Sequence, residues 1–167
     1  MSACNAPNPP VTEEISWPCD VDGRLTVELY GAIRETLNWQ ADDLNCDGMP
    51  RPNGEGARLR LSGPLGDRTV AFILGIPDLK PGDTGSEFPT NVTLIEEGTG
   101  RFFSTQDTSG CWTDIDSHVP VGEVSPLEYR INGTLYCISP LAELYGNSSI
   151  GFTELKFVSR LRWKPPE

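Results

Sequence analysis

Positive charge is scarce in this sequence. Its 13 Lys and Arg residues face 24 Asp and Glu residues, so the formal net charge at pH 7 is −11. Nucleic acids and anionic membrane surfaces both favour proteins with clustered positive charge. The composition therefore argues against either of them as the main partner, and the excess of acidic groups favours solubility.

Several motifs that carry chemistry are missing. His118 is the single histidine and there is no Cys-x-x-Cys pair, so the sequence does not match a zinc site. It also contains no Gly-x-Ser-x-Gly, no Gly-x-Gly-x-x-Gly and no phosphate-binding loop. We therefore assign no catalytic residue and expect a protein that binds rather than catalyses.

Long hydrophobic runs are missing as well. No segment approaches the roughly 20 apolar residues that a transmembrane helix needs. The N-terminus lacks the apolar core of a signal peptide. The chain is therefore expected to be either cytosolic or a mature protein whose leader has been removed.

The N-terminal residues favour the second alternative. Ser2-Ala3-Cys4 resembles the end of a bacterial lipobox, Leu-[Ala/Ser]-[Gly/Ala]-Cys, with Met1 at the position of the consensus Leu. The resemblance implies that Cys4 is the lipidated first residue of a mature lipoprotein, and the Asn that follows it implies the outer membrane. Residues 1–14 would then be a lipoprotein N-terminus with a polar, Pro-rich tether, which stays extended in water.

Four cysteines remain when Cys4 is set aside. They permit three pairings, and we predict the consecutive one, Cys19–Cys46 and Cys111–Cys137. Each bridge would close a loop of similar length and stabilise the fold by roughly 3–4 kcal/mol in the chain-entropy model. Buried free thiols are the alternative. Disulfides would indicate export to an oxidising compartment.

The hydrophobic pattern has a period of two almost throughout. Residues 25–39 alternate as one long strand that bends near Gly31, and residues 155–163 repeat the pattern. Between these two strands, which we expect to be sheet neighbours, the sequence predicts strands at 57–63, 68–76, 91–97, 100–105, 110–116, 125–131 and 134–139. Turn sequences such as Asn132-Gly133 separate them, and residues 140–145 could form one helical turn. We predict an all-β fold with about eight or nine strands, an antiparallel β-sandwich or jelly roll, in a single domain over residues 15–167.

An Asp/Asn-rich segment resembles the start of a calcium-binding loop. Asp43, Asn45 and Asp47 alternate and Gly48 follows, so three oxygen ligands could converge on one Ca²⁺. The bidentate Glu expected twelve positions along is missing, because Gly54 stands there. The alternative is a turn joined to the rest of the fold by a disulfide.

A second acidic cluster contains the single histidine. If residues 112–118 stay extended, Asp114, Asp116 and His118 project from one face, as a metal site or an acid/base group requires. The alternative is a strand end with solvated side chains.

Aromatic residues are the remaining candidates for ligand binding. Trp17, Trp39, Trp112 and Trp163 could stack on sugar rings, but Trp39 and Trp163 continue buried positions and are expected in the core. Trp112 adjoins Cys111 and could pack on its disulfide. Tyr30 lies on the polar face of its strand and is free to bind.

A long loop at 49–56 follows Cys46. Long loops in compact domains often carry binding residues, and Arg51, between two prolines, is the obvious recognition residue. Alternatively, Arg51 pairs with a neighbouring Asp and orders the loop.

Three hypotheses follow. The first is a non-enzymatic binding or structural domain of a bacterial envelope lipoprotein, periplasmic and anchored through Cys4. It would meet an envelope protein or glycan through loop 40–56, with Tyr30, Arg51 and Trp112 as candidate ligand-binding residues. The second is a carbohydrate-binding module stabilised by Ca²⁺, the one cofactor the sequence suggests. The third is a metal-assisted hydrolase built on Asp114, Asp116 and His118.

Overall fold

A computed structural model of the chain describes residue 19 and residues 22–121 and 128–163. The proposed tether at 1–14, with Cys4, and Trp17 lie outside these residues. The described part contains strands and no helix, and therefore no helix that could cross a membrane. Its strands are β1 (Arg24–Glu28), β2 (Tyr30–Gly31), β3 (Thr36–Gln40), β4 (Asn45–Pro50), β5 (Ala57–Leu65), β6 (Arg68–Ile76), β7 (Gly85–Pro89), β8 (Asn91–Glu97), β9 (Arg101–Ser104), β10 (Cys111–Pro120), β11 (Glu128–Cys137), β12 (Leu141–Glu143), β13 (Ser149–Gly151) and β14 (Glu154–Arg162).

The strands form two antiparallel sheets, which confirms the predicted β-sandwich class. One sheet has the order β3-β1-β14-β11-β10-β7 and the other the order β2-β13-β12-β9-β8-β6-β5-β4. In the longer strands, such as β8 and β14, alternate residues are buried between the sheets. Large side chains without solvent exposure fill the space between the sheets, among them Leu25, Leu59, Leu61, Phe72, Leu74, Leu94, Phe103, Ile131 and Leu155. Each such side chain contributes about 1.5–3 kcal/mol of transfer free energy.

The two sheets approach each other most closely where β4 crosses β14. A Cβ placed on Gly48 would lie 2.5 Å from the Arg160 carbonyl oxygen and 2.8 Å from Leu161 Cα. Only a residue without a side chain fits there. Gly48 therefore lies inside a strand and serves sheet packing, so it is not the turn glycine of a calcium-binding loop.

The predicted long strand at 25–39 is wrong. β1 and β3 pair with each other as a hairpin, with Leu25 opposite Trp39, and β2 between them joins the other sheet. The chain reverses after Gly31, whose φ is 95°, and the Leu29 amide then donates to the Glu35 carbonyl. The alternation continues across the reversal because both arms of a hairpin keep the same buried face.

Other boundaries also differ from the prediction. β11 runs through Asn132 and Gly133 without a turn, because Gly133 packs against the Asp114 backbone of β10. The predicted helical turn at 140–145 is replaced by β12. The strands β4, β7 and β13 were not predicted. The prediction that the first and last strands of the domain are neighbours in one sheet is confirmed, since β1 pairs with β14.

Both predicted disulfides are confirmed. Cys111 and Cys137 lie opposite each other on β10 and β11. Cys19, which precedes β1 of one sheet, is bonded to Cys46 on β4 of the other. The protein therefore matures in an oxidising, extracytoplasmic compartment.

Candidate functional site

Two loops at one end of the sandwich line an open cleft. Residues 51–56 follow β4 and residues 77–81 follow β6, and the two loops are neighbours because Ala57 pairs with both Pro50 and Ile76. The space between them, which we call the loop cleft, has a volume of about 650 Å³. Its lining residues are Pro50, Gly54, Glu55, Gly56, Pro77, Asp78, Leu79, Lys80, Pro81 and Trp163.

The first loop is held by its own backbone. The Arg51 amide donates to the Gly56 carbonyl at 3.1 Å, and the Gly54 amide donates to the Arg51 carbonyl at 2.8 Å. Gly56 has a φ of 73°, and a Cβ there would lie 2.5 Å from the Pro77 carbonyl oxygen. Gly56 therefore permits both the turn and the contact between the two loops.

The second loop is also ordered locally. Leu79 is buried and anchors its centre. The Lys80 amide donates to Asp83 Oδ2 at 3.0 Å, and the Asp83 amide donates to the Lys80 carbonyl at 3.0 Å. These reciprocal hydrogen bonds close a turn at Gly82, whose φ is 82°. The cleft is thus bounded by two preformed loops, which is the usual state of a ligand site.

Trp163 is a buried residue of the cleft lining, and it contacts His118, which does not itself line the cleft. Trp163 Nε1–H donates to His118 Nε2 at 3.1 Å, and His118 Nδ1 lies 3.0 Å from the Asp83 carbonyl oxygen. Because an indole nitrogen only donates, Nε2 accepts and Nδ1 carries the proton. Burial lowers the pKa of His118, while the backbone hydrogen bond to Asp83 and the Asp83 charge oppose that shift. The imidazole is therefore neutral near pH 7.

The predicted shared face of Asp114, Asp116 and His118 does not form. A β-bulge shifts the register between Ile115 and Ser117, so Asp116 is an extra residue in the strand. Before the bulge Asp114 faces outward, where it accepts a hydrogen bond from the Glu87 amide at 2.9 Å. After the bulge His118 faces the core and is 4% exposed. Strict alternation could not reveal this, because an inserted residue reverses every later side chain.

The Asp43, Asn45 and Asp47 segment is a turn followed by a strand. Asp43 lies in the turn and its Oδ2 accepts from the Gln40 amide at 3.2 Å. Asn45 and Asp47 project outward from β4, with Asp47 opposite Arg60. Within the described ranges, no three His, Cys, Asp or Glu side chains are grouped as a metal would need. Calcium binding stays a prediction.

The three predicted ligand-binding residues lie on separate parts of the fold. Tyr30 is exposed on β2, and the Glu28 charge raises the pKa of its phenol. Arg51 begins the first loop of the cleft without lining it. Trp112 is half-buried on β10 beside a small pocket of about 290 Å³ that also includes Pro89. Trp39 and Trp163 are buried, as predicted.

An exposed apolar group lies on the outer face of the larger sheet, and the sequence analysis missed it. Phe102 on β9 lies opposite Ile95 on β8, and the Leu144 amide donates to the Phe102 carbonyl at 2.8 Å. Phe102 and Leu144 are both exposed, and Tyr145 next to them is fully exposed. Tyr145 has a φ of 61°, a conformation that non-glycine residues seldom adopt.

A charged network lies at the end of β8. Glu96 and Glu97 point to opposite faces, as adjacent strand residues do: Glu97 pairs with Arg60, while Glu96 is buried and pairs with Arg68. Arg101 lies between Glu96 and Glu143 and donates to Glu143 at 2.9 Å. Hydrogen bonds from Arg101 and Ser148 lower the pKa of Glu143. Every charged group in this network has an opposite charge beside it, which is typical of a structural network.

The chain matches no protein-family model, no curated protein and no solved structure. Inferences about its function therefore depend on its own residues.

Proposed function

We propose that the protein is a non-enzymatic binding domain of a bacterial envelope lipoprotein, and that its ligand occupies the loop cleft. The observation that carries the proposal is the cleft itself: a space of about 650 Å³ between two preformed loops, lined by prolines, Trp163 and three charged residues. The disulfides support an extracytoplasmic location. The Ser2-Ala3-Cys4 sequence supports an anchor at Cys4 and a position at the outer membrane.

The walls of the cleft favour an extended peptide as the ligand. Three prolines line it, Pro50, Pro77 and Pro81, together with Trp163. Proline and aromatic surfaces lose little conformational entropy when they bind a partner, so they suit recognition of an extended segment. We infer that the partner is an envelope protein that inserts an apolar residue between the loops.

The charges around the cleft favour a basic residue in that segment. Glu55 and Asp78 are exposed in the lining, and Lys80 is its one cationic residue. The net charge of the whole chain, −11, adds a long-range attraction for cations. The proposed ligand is thus an extended segment in which Lys or Arg stands next to Pro or an aliphatic residue.

A peptide array tests this proposal. Acetylated octapeptides of randomised composition are probed with the full chain, labelled at Cys4. Peptides with Lys or Arg beside Pro or Leu should be enriched among the binders. Glu55→Lys or Asp78→Lys should weaken the best peptide by about 2–10-fold, the range expected when an exposed ion pair becomes a repulsion.

Asp67→Lys is the matched control. Asp67 is exposed in the turn between β5 and β6, at the opposite end of that hairpin from the cleft. The change in net charge is the same, so long-range attraction falls equally in all three variants. If Asp67→Lys weakens binding as much as the cleft variants do, or if no basic peptide is enriched, the cleft is not the site.

Fractionation tests the anchor. The chain is expressed in a Gram-negative host behind a lipoprotein leader that restores the complete lipobox ahead of Cys4. It should sediment with the membranes, and Cys4→Ser should release a folded protein with both disulfides intact. An unchanged distribution of the Cys4→Ser variant would contradict lipidation.

A further inference from the structure

His118 connects Trp163 of the cleft lining with the loop that follows β6. Its Nδ1 side is bonded to the carbonyl of Asp83, which lies just beyond the 77–81 wall and is joined to it by the two hydrogen bonds with Lys80. Its Nε2 side accepts the indole N–H of Trp163. The imidazole is itself buried, with the Tyr129 ring packed against it at 4.9 Å between centroids.

Only the neutral imidazole can make both hydrogen bonds. A neutral ring with its proton on Nδ1 donates to Asp83 and accepts from Trp163. A protonated ring carries a hydrogen on each nitrogen, so it can still donate to Asp83 but can no longer accept from Trp163. Two N–H groups would then face each other across 3.1 Å in a buried place.

We propose that His118 is a pH-sensitive latch of the loop cleft: the neutral ring joins Trp163 to Asp83, and so to the 77–81 wall, and the protonated ring releases Trp163. The effect of release on ligand affinity rests on the proposed function of the cleft. The latch itself does not, because it is a property of the protein without ligand.

The groups around His118 determine the direction in which its pKa is shifted, and so the pH at which the latch opens. Asp83 is the charged residue that faces it, and Tyr129 on β11 is the other titratable one. Asp83 favours the protonated ring and burial disfavours it. Burial is the larger effect, so the pKa of His118 lies below its ordinary value. The latch is therefore closed at neutral pH. It opens in acid, at a pH below the ordinary histidine pKa of about 6.5.

Because the sequence has one histidine, NMR can follow this group without ambiguity. The imidazole Cε1–H signal gives its pKa directly, and the Trp163 indole N–H signal is identified by its loss in Trp163→Phe. We expect the Trp163 signal and the amide signals of residues 79–83 to shift with the same midpoint as His118. If the indole signal does not change through the His118 titration, the latch is refuted.

Two variants separate the latch from a general effect of acid. His118→Gln cannot gain a proton, yet it keeps an acceptor and a donor, so the indole signal should no longer titrate. If that variant does not fold, the latch is tested with Trp163→Phe alone, because this change leaves His118 and an aromatic ring in place. Without the opposing indole N–H, the pKa of His118 should rise towards its ordinary value, and an unchanged pKa would count against the latch.

Peptide binding is measured separately. If the Trp163 signal titrates with His118 but the best peptide binds equally well above and below the midpoint of that titration, His118 does not regulate the site. If the latch titrates and no peptide binds, the function proposed for the cleft fails while the latch stands. If the peptide binds and its affinity falls severalfold across the His118 titration, both proposals are supported.

Discussion

Gly48→Ala is expected to destabilise the fold although it adds only one methyl group. The new Cβ would lie 2.5 Å from the Arg160 carbonyl oxygen, whereas the shortest ordinary C···O contacts are about 3.3 Å. The sheets would have to separate by roughly 0.8 Å where β4 crosses β14, if the displacement followed that contact. Overpacking of this kind costs about 1–3 kcal/mol. At the 2–4 °C per kcal/mol typical of chains of this length, Tm would fall by about 2–12 °C.

Gly75→Ala is the matched control for this change. Gly75 lies on β6 of the same sheet, and a Cβ there would meet Asn91 at an ordinary 3.6 Å. The control should be neutral or stabilising by up to about 1 kcal/mol, because alanine restricts the unfolded chain. Urea unfolding with the disulfides intact measures both variants. If Gly48→Ala is as stable as Gly75→Ala, the close contact between the sheets is not real.

Three further predictions concern stability. Cys111→Ala with Cys137→Ala should lower the free energy of unfolding by about 3–4 kcal/mol in urea, because the open chain gains loop entropy; no change would refute the bridge. The free energy of unfolding should fall as the pH drops from about 6.5 to the lower folded pKa of His118, because the unfolded chain binds the extra proton. His118→Gln should lose this part of the pH dependence. A pH profile of its unfolding free energy identical to that of the unchanged protein would contradict the prediction. If the Asp43, Asn45 and Asp47 segment binds Ca²⁺, Tm should be several degrees higher in Ca²⁺ than in chelator; melting curves that overlay would contradict the calcium hypothesis.

The fold class could be predicted because burial on one face imposes a period of two on every strand. The same pattern could not show where the chain reverses. The hairpin of β1 and β3 keeps the alternation of residues 25–39 intact, so one strand and two strands look alike in sequence. Asn132-Gly133 shows the opposite error, since a typical turn dipeptide lies inside β11. Its glycine is required by the close approach of β10, which only the tertiary structure reveals.

The candidate site was predicted less completely. Loop 49–56 was recognised from its length and its prolines, and it does form one wall of the loop cleft. The other wall, residues 77–81, looked like an ordinary turn, because nothing local indicates that β4 and β6 end at the same edge. His118 was assigned to the wrong face because the bulge at Asp116 has no glycine or proline to mark it. Trp163 was expected in the core, and its link to His118 joins residues 45 positions apart.

Mapping of backbone amide and indole NMR shifts, with the best peptide from the array titrated into the full chain, shows whether the partner binds in the loop cleft. We expect the largest changes at residues 50–56, at residues 77–81 and at the Trp163 indole, with none at Tyr30 or Trp112. If the largest changes instead surround Phe102 and Tyr145, the outer face of the larger sheet binds the ligand and the assignment of the cleft is wrong.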